Sequence, residues 1–226
     1  YLPADKQSQI YVDYQLGLLK TLQRIRAKYP KLVIQDCSSG GGRINYGMLP
    51  YFDEFWGSDD TDAKMRLFIQ WGELNYFPAM AIAAHVSAER NHQTGRVTPI
   101  KFRLDVAMTG RLGMELQPSQ MSKADFAFAK RGIAAYKQIR DVVQLGDLYR
   151  LHSPYEGDGV ASLMYVSNDK SRAAFFAYNY DYHINQKIPS VQLSGLDPDR
   201  NYRIKDLTPW DEKRPCSLDG KVISGK

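Results

Sequence analysis

LVIQDCSSGGGR, residues 32–43, sets an apolar run directly against a loop of two serines and three glycines closed by an arginine. The four residues LVIQ read as a short buried strand, and the glycines mark its end. Upstream, residues 8–29 carry Ile10, Tyr14, Leu18, Leu22 and Ile25 at about one per helical turn, and Pro30 stops the pattern. That is an amphipathic helix running into a strand. The fold is decided by whether this helix–strand unit repeats.

It does. FW at 55–56 is a second strand candidate, ending in GSDDTD, 57–62. Asp60, Thr61 or Asp62 can cap a helix over 62–75, with Lys64 and Arg66 expected on its solvent side. MAIAAHV, 80–86, is a third strand, and FRLDVAMT, 102–109, reads equally as a fourth strand or as helix. Ser122 caps a long helix through Val143 that ends near Gly146. Beyond it the helical period disappears. Short strands with turn signals such as EGDG (156–159) and SNDKS (167–171) follow. The expected architecture is therefore α/β over residues 1–146, with parallel strands joined by crossover helices, and an antiparallel β domain over 147–226. About four strands make half of an eight-stranded (β/α)8 TIM barrel.

Composition excludes several classes. Lys and Arg number 30 against 25 Asp and Glu, a net charge of +5, but the basic residues are scattered. The densest group, Arg24, Arg26, Lys28 and Lys31, sits on a helix surface without interleaved stacking aromatics, so no nucleic-acid partner is expected. No apolar run is long enough to span a membrane. Two distant cysteines, Cys37 and Cys216, build neither a disulfide framework nor a zinc site, and no metal or other cofactor is expected. The chain opens on YLPADKQ, with neither a leader-like segment nor an initiator Met, which does not read as a natural start.

Two segments can carry chemistry. DCSSGGGR has neither the spacing nor the Lys-Ser/Thr of a phosphate loop, nor that of a dinucleotide fingerprint. It reads either as a flexible turn or as a loop that brings bare backbone and a small side chain close to a polar ligand at a strand's carboxyl end. Cys37 is the first residue past that strand. In GSDDTD, Asp59 is the first carboxyl past its strand. Asp60 and Asp62 fall at the helix start, where the macrodipole favours negative charge. A carboxyl facing an apolar wall has a raised pKa, and Trp56 could supply that wall for Asp59. His85 and His92 lack a third ligand at useful spacing, so His85 reads as a hydrogen-bonded structural histidine, and Asn91 and His92 as part of a rim.

Taken in order, these blocks resemble the α-galactosidases of glycoside hydrolase family 36. The likeness rests on DCSSGGGR followed by GML (47–49), W-x-SDDTDA (56–63), AHVSA (84–88), NHQTGR (91–96), LDVAMTGRLGMEL (104–116) and a long helix. The closing LSGLDPDRNYRIKDLTP, 193–209, is similar to the family's carboxyl-terminal sheet domain. The resemblance implies barrel strands five to eight followed by a small, clipped antiparallel β-sandwich. It implies a retaining glycosidase that removes terminal α-linked galactose from oligosaccharides of the melibiose and raffinose type. On that likeness Asp59 is the acid/base, Cys37 and Gly40 line the sugar subsite, and Ser38 and Trp56 stand beside it. The family's nucleophile, in a Lys-Trp-Asp motif at the end of strand four, has no counterpart here, so the chain alone is expected to be inactive. Its partners are then the missing amino-terminal part of the same protein and further copies in a homo-oligomer. The compartment, bacterial cytoplasm or periplasm and exterior, stays open.

The family pattern is departed from at Arg43-Ile44-Asn45-Tyr46-Gly47 and at Glu89-Arg90. Both lie in loops, which leaves room for an α-N-acetylgalactosaminidase or a raffinose-type galactosyltransferase on the same scaffold, or a non-catalytic sugar-binding remnant.

Overall fold

In the computed structural model, which describes residues 2–226, the first half alternates helices with short parallel strands. Helix α1 spans Gln9–Lys28 and gives way at Tyr29, just before Pro30. Leu22 is its buried anchor, in a small cluster with Met48, Phe55 and Ala81. Ile10, Tyr11, Val12, Tyr14 and Leu16 at its amino-terminal end stay exposed. Strand β1, Gln35–Asp36, pairs in parallel with β2, Glu54–Phe55. A parallel bridge from Phe55 to Ile82 leads to β3, Ala83–Val86, which pairs in parallel with β4, Arg111–Met114. Four strands therefore lie side by side in chain order. Helices α2 (Ala63–Glu73), α3 (Ile100–Ala107) and α4 (Lys123–Leu145) follow in the connections.

Several sequence expectations shift here. The first strand begins at Gln35 rather than Leu32, because Leu32 and Val33 are exposed and only the last residues pair. The third is shortened by a 3-10 turn at Ala79–Ala81. Residues 102–107 fall in helix, 108–109 in the turn that ends it, and the fourth strand is RLGM, 111–114. Arg66 is not on a solvent side: it is 1% exposed, buried under the sheet's carboxyl end.

Strand alternation sorts the side chains into two faces. Phe55, Ile82, Ala84 and Val86 are buried among the helices. Gln35, Glu54, His85 and Arg111 point to the other face, where they form a polar row. Gln35 Nε2 donates to Glu54 Oε1 at 3.0 Å, and Arg111 Nε pairs with Glu54 Oε2 at 2.8 Å. Helices cover one face only, which is the arrangement of part of a (β/α)8 barrel.

The second half is antiparallel. Strands β5 (Asp147–His152), β6 (Val160–Val166) and β7 (Ala173–Asn179) form one sheet, and β8 (Asn201–Arg203) with β9 (Val222–Ser224) a two-stranded ribbon. The sheet shares a continuous core with the barrel helices. Leu104, Met108, Tyr136 and Ile139 pack with Leu163, Tyr165 and Phe176. The buried tyrosines satisfy their hydroxyls across the join, Tyr165 to the Thr109 carbonyl at 2.7 Å and Tyr178 to that of Asp105 at 2.8 Å.

Candidate active site

The two sequence motifs meet at the carboxyl ends of β1 and β2. After β1 the chain turns through Ser39, Gly40 and Gly41, all at positive φ. The Gly42 N–H closes the turn on the Ser38 carbonyl at 3.0 Å. Gly41, at φ +95°, allows this turn and also close approach: a β-carbon there would stand 2.9 Å from the Gly57 carbonyl oxygen. One at Gly40 would lie 3.4 Å from the Asp59 nitrogen. The glycine loop is thus seated on the backbone of residues 57–59. Cys37 is exposed at its start and Ser38 is half-buried.

Asp59 is exposed, and what its neighbours hold is its backbone. Gln93 Nε2 donates to the Asp59 carbonyl at 2.7 Å, while Gln93 Oε1 accepts from the Thr61 N–H at 2.9 Å. Asn91, buried beneath, accepts from the Gln93 and Thr94 N–H groups and donates to the Thr61 hydroxyl. NHQTGR is therefore the clamp on the Asp59 loop. Sequence reasoning singled out Asn91 and His92 in this block; the residue that grips the loop is Gln93, and His92 is exposed.

Of the three candidate caps the structure uses Asp62. Its Oδ1 accepts from the Lys64 N–H at 2.8 Å and its Oδ2 pairs with Arg96 Nε at 2.8 Å and with the Thr94 hydroxyl. Asp60 Oδ1 accepts from the Asp62 N–H at 2.9 Å. Burial pushes the Asp62 pKa up, but the Thr94, Arg96 and Lys64 donors together outweigh it and hold the carboxyl below its ordinary range. A depressed carboxyl stabilises the fold fully above its unfolded value and loses that contribution as pH falls through the folded value. Asp62→Asn is expected to cost about 2 kcal/mol at pH 7, from charge-assisted bonds lost in a buried setting. Urea unfolding at pH 7 and pH 3 checks this: the gap between variant and parent should narrow at the lower pH.

Trp56 is buried. Its ring stacks on His85 with centroids 4.4 Å apart, and the Arg66 guanidinium carbon lies 4.4 Å from the same centroid. The indole ring is thus already engaged by protein. His85 also approaches Glu115 Oε2 at 3.4 Å and Gln35 Nε2 at 3.5 Å, a structural placement in the polar row. Asp36 is buried on the helix-facing side of β1, 3.8 Å from Arg43, and burial raises its pKa. Among the described residues, no three His, Cys, Asp or Glu side chains gather as a metal site needs, and no helix is long and apolar enough to cross a membrane.

Loops gathered at the carboxyl ends of parallel strands, on a sheet that helices cover on one face, are the layout of a TIM-barrel active site. The chain matches the melibiase family model over residues 1–146 and the glycosyl hydrolase family 36 carboxyl-terminal domain over residues 160–226. It belongs to glycoside hydrolase family 36. It is 40% identical over 206 residues to the α-galactosidase AgaA of Geobacillus stearothermophilus, covering 91% of this chain and 28% of that protein. A crystal structure of an AgaA variant in complex with raffinose superposes with a TM-score of 0.87 at 37% identity, over 99% of this chain and 29% of that one. The α-galactosidase from Lactobacillus brevis gives a TM-score of 0.88 at 36% identity, again over 99% and 29%. The chain thus spans under a third of the length of these relatives.

Proposed function

We propose that this chain supplies the acid/base side of a retaining α-galactosidase active site within a longer protein. The observation that carries the reading is the seating of the Ser38–Gly42 loop on Gly57–Asp59 at the carboxyl end of parallel strands. In this reading residues 1–146 provide barrel strands five to eight, and 147–226 form the carboxyl-terminal β domain. Asp59 gives a proton to the leaving glycosidic oxygen and later takes one from water. Cys37, Ser38 and Gly40 line the galactose subsite, and Trp56 supports the loop from below.

A retaining mechanism needs a second carboxylate about 5–5.5 Å from the first, forming a covalent galactosyl intermediate. It comes from the part of the barrel that faces the polar row of Gln35, Glu54, His85 and Arg111. Exposed Asp59 is then enclosed only when the barrel closes. The substrates are oligosaccharides ending in α-linked galactose, the chain alone does not turn over, and the complete protein assembles as a homo-oligomer.

The test is hydrolysis of nitrophenyl α-galactoside and of its N-acetylgalactosaminide analogue by the chain alone and by the complete protein. The chain alone should be inactive and the complete protein should cleave the galactoside preferentially. Preference for the N-acetyl sugar would move the assignment to an α-N-acetylgalactosaminidase. No cleavage by the complete protein would favour a sugar-binding role.

A further inference from the structure

Behind the Asp59 loop, on its helix-facing side, lies a buried ionisable pair that the chemistry above does not use. Glu73, the last residue of α2, turns its carboxylate against Gly57 so closely that a β-carbon added at Gly57 would land on it. Only glycine leaves that space open, two residues before Asp59. Neither Glu73 oxygen has a hydrogen-bond donor among the described residues, and Arg66 Nη2 stands 3.8 Å away. Arg66 spends its other donors on the same region. Nη1 donates to the Ser58 carbonyl at 3.1 Å, Nη2 to the Ala83 carbonyl at 3.2 Å, and Nε to Gln70 at 3.3 Å.

The geometry points to Glu73 as a positioning residue for the reaction, its protonation state setting through Arg66 and Gly57 where the Asp59 loop stands. This rests on the reading of Asp59 as the acid/base. Glu73 lines an otherwise apolar cavity of about 350 Å³ with Phe55, Ile82, Phe68 and two tyrosines, Tyr76 and Tyr155. Arg66 is the charged group facing it, and Arg66 in turn feels Asp60 and Glu115. Burial raises the Glu73 carboxyl to about 7, against the opposing pull of Arg66. Below that pH the carboxyl is neutral and Arg66 holds the Ser58 carbonyl. Above it the carboxylate draws the guanidinium over by Nη2, a charge-assisted bond being stronger than one to a carbonyl, and Nη1 is pulled off the Ser58 carbonyl. The loop then loses its tether, and turnover falls as pH rises through this range.

The experiment is the pH dependence of kcat and KM on nitrophenyl α-galactoside, from pH 5 to 9, for the complete protein with Glu73→Gln or Gly57→Ala. Glutamine mimics the protonated carboxyl, so Glu73→Gln should keep kcat within about threefold of the parent at pH 5–6 and shift the alkaline fall to higher pH. Gly57→Ala displaces Glu73 and should lower kcat about tenfold or more with KM nearly unchanged, since displacement of a reacting group acts on the chemical step. An unchanged alkaline limb in Glu73→Gln overturns the inference, provided that Asp59→Ala still discriminates between leaving groups. Failure of Glu73→Gln to fold at pH 6 overturns it too, because the parent is neutral there. Should Asp59→Ala instead lose activity equally on all leaving groups, it is the acid/base reading that fails.

Discussion

Asp59→Ala in the complete protein is expected to lose about 10²–10⁴-fold in kcat/KM on oligosaccharides such as raffinose and far less on nitrophenyl α-galactoside. The difference follows from what an acid does. A sugar alkoxide is a poor leaving group and needs a proton as the bond breaks, whereas nitrophenolate leaves without one. With the activated substrate the galactosyl intermediate should accumulate, because its hydrolysis has lost a base. Kinetics on the two substrates, with a burst phase sought on the second, measure this. Equal loss on both contradicts an acid/base role.

The second large effect is on stability. Arg66 is 1% exposed and ties together the Ser58 and Ala83 carbonyls, Gln70, Glu73 and the Trp56 ring. Arg66→Met strands two backbone carbonyls and the Gln70 side chain and, where Glu73 is ionised, leaves it buried without its counter-charge. The expected cost is about 3–5 kcal/mol, as when one partner of a buried pair is removed. Denaturant unfolding measures it, and Arg66→Met combined with Glu73→Met should recover part of the loss, since apolar groups then replace both charges. A change under about 0.5 kcal/mol, the range of ordinary surface substitutions, contradicts this role for Arg66.

Much of the fold was legible because its punctuation is local. Ser122 accepts from the Asp125 N–H at 3.0 Å and Gly146 closes α4 on Val142, so capping chemistry marked both ends of that helix. The strands were harder. LVIQ read as the strand because it is mostly apolar, yet pairing falls on Gln35 and Asp36: Gln35 joins the polar row on the sheet's uncovered face, and Asp36 is buried on the helix-facing side. The fourth strand, RLGM, was hidden by Gly113, which propensity disfavours in strands. Here glycine is required, because a β-carbon would come within 2.5 Å of the His85 ring.

The site divides the same way. DCSSGGGR and SDDTD were visible as motifs, and the close approach of Gly41 to Gly57 accounts for one by the other. The residues that hold them were not. Arg66 and Glu73 lie in a helix where charged side chains ordinarily signal a solvated face, and Gln93 is one polar residue in a polar loop. Their partners are backbone carbonyls and a glycine 8 to 34 residues away. Such contacts leave no periodic trace.

The most direct measurement is the product formed when Asp59→Ala, in the complete protein, turns over nitrophenyl α-galactoside in the presence of azide. Azide needs no general base and attacks the galactosyl intermediate from the face opposite the enzyme nucleophile. The acid/base assignment predicts rescue with α-galactosyl azide as product. The β-azide would make Asp59 the nucleophile, and an absence of rescue would remove it from the proton transfer altogether.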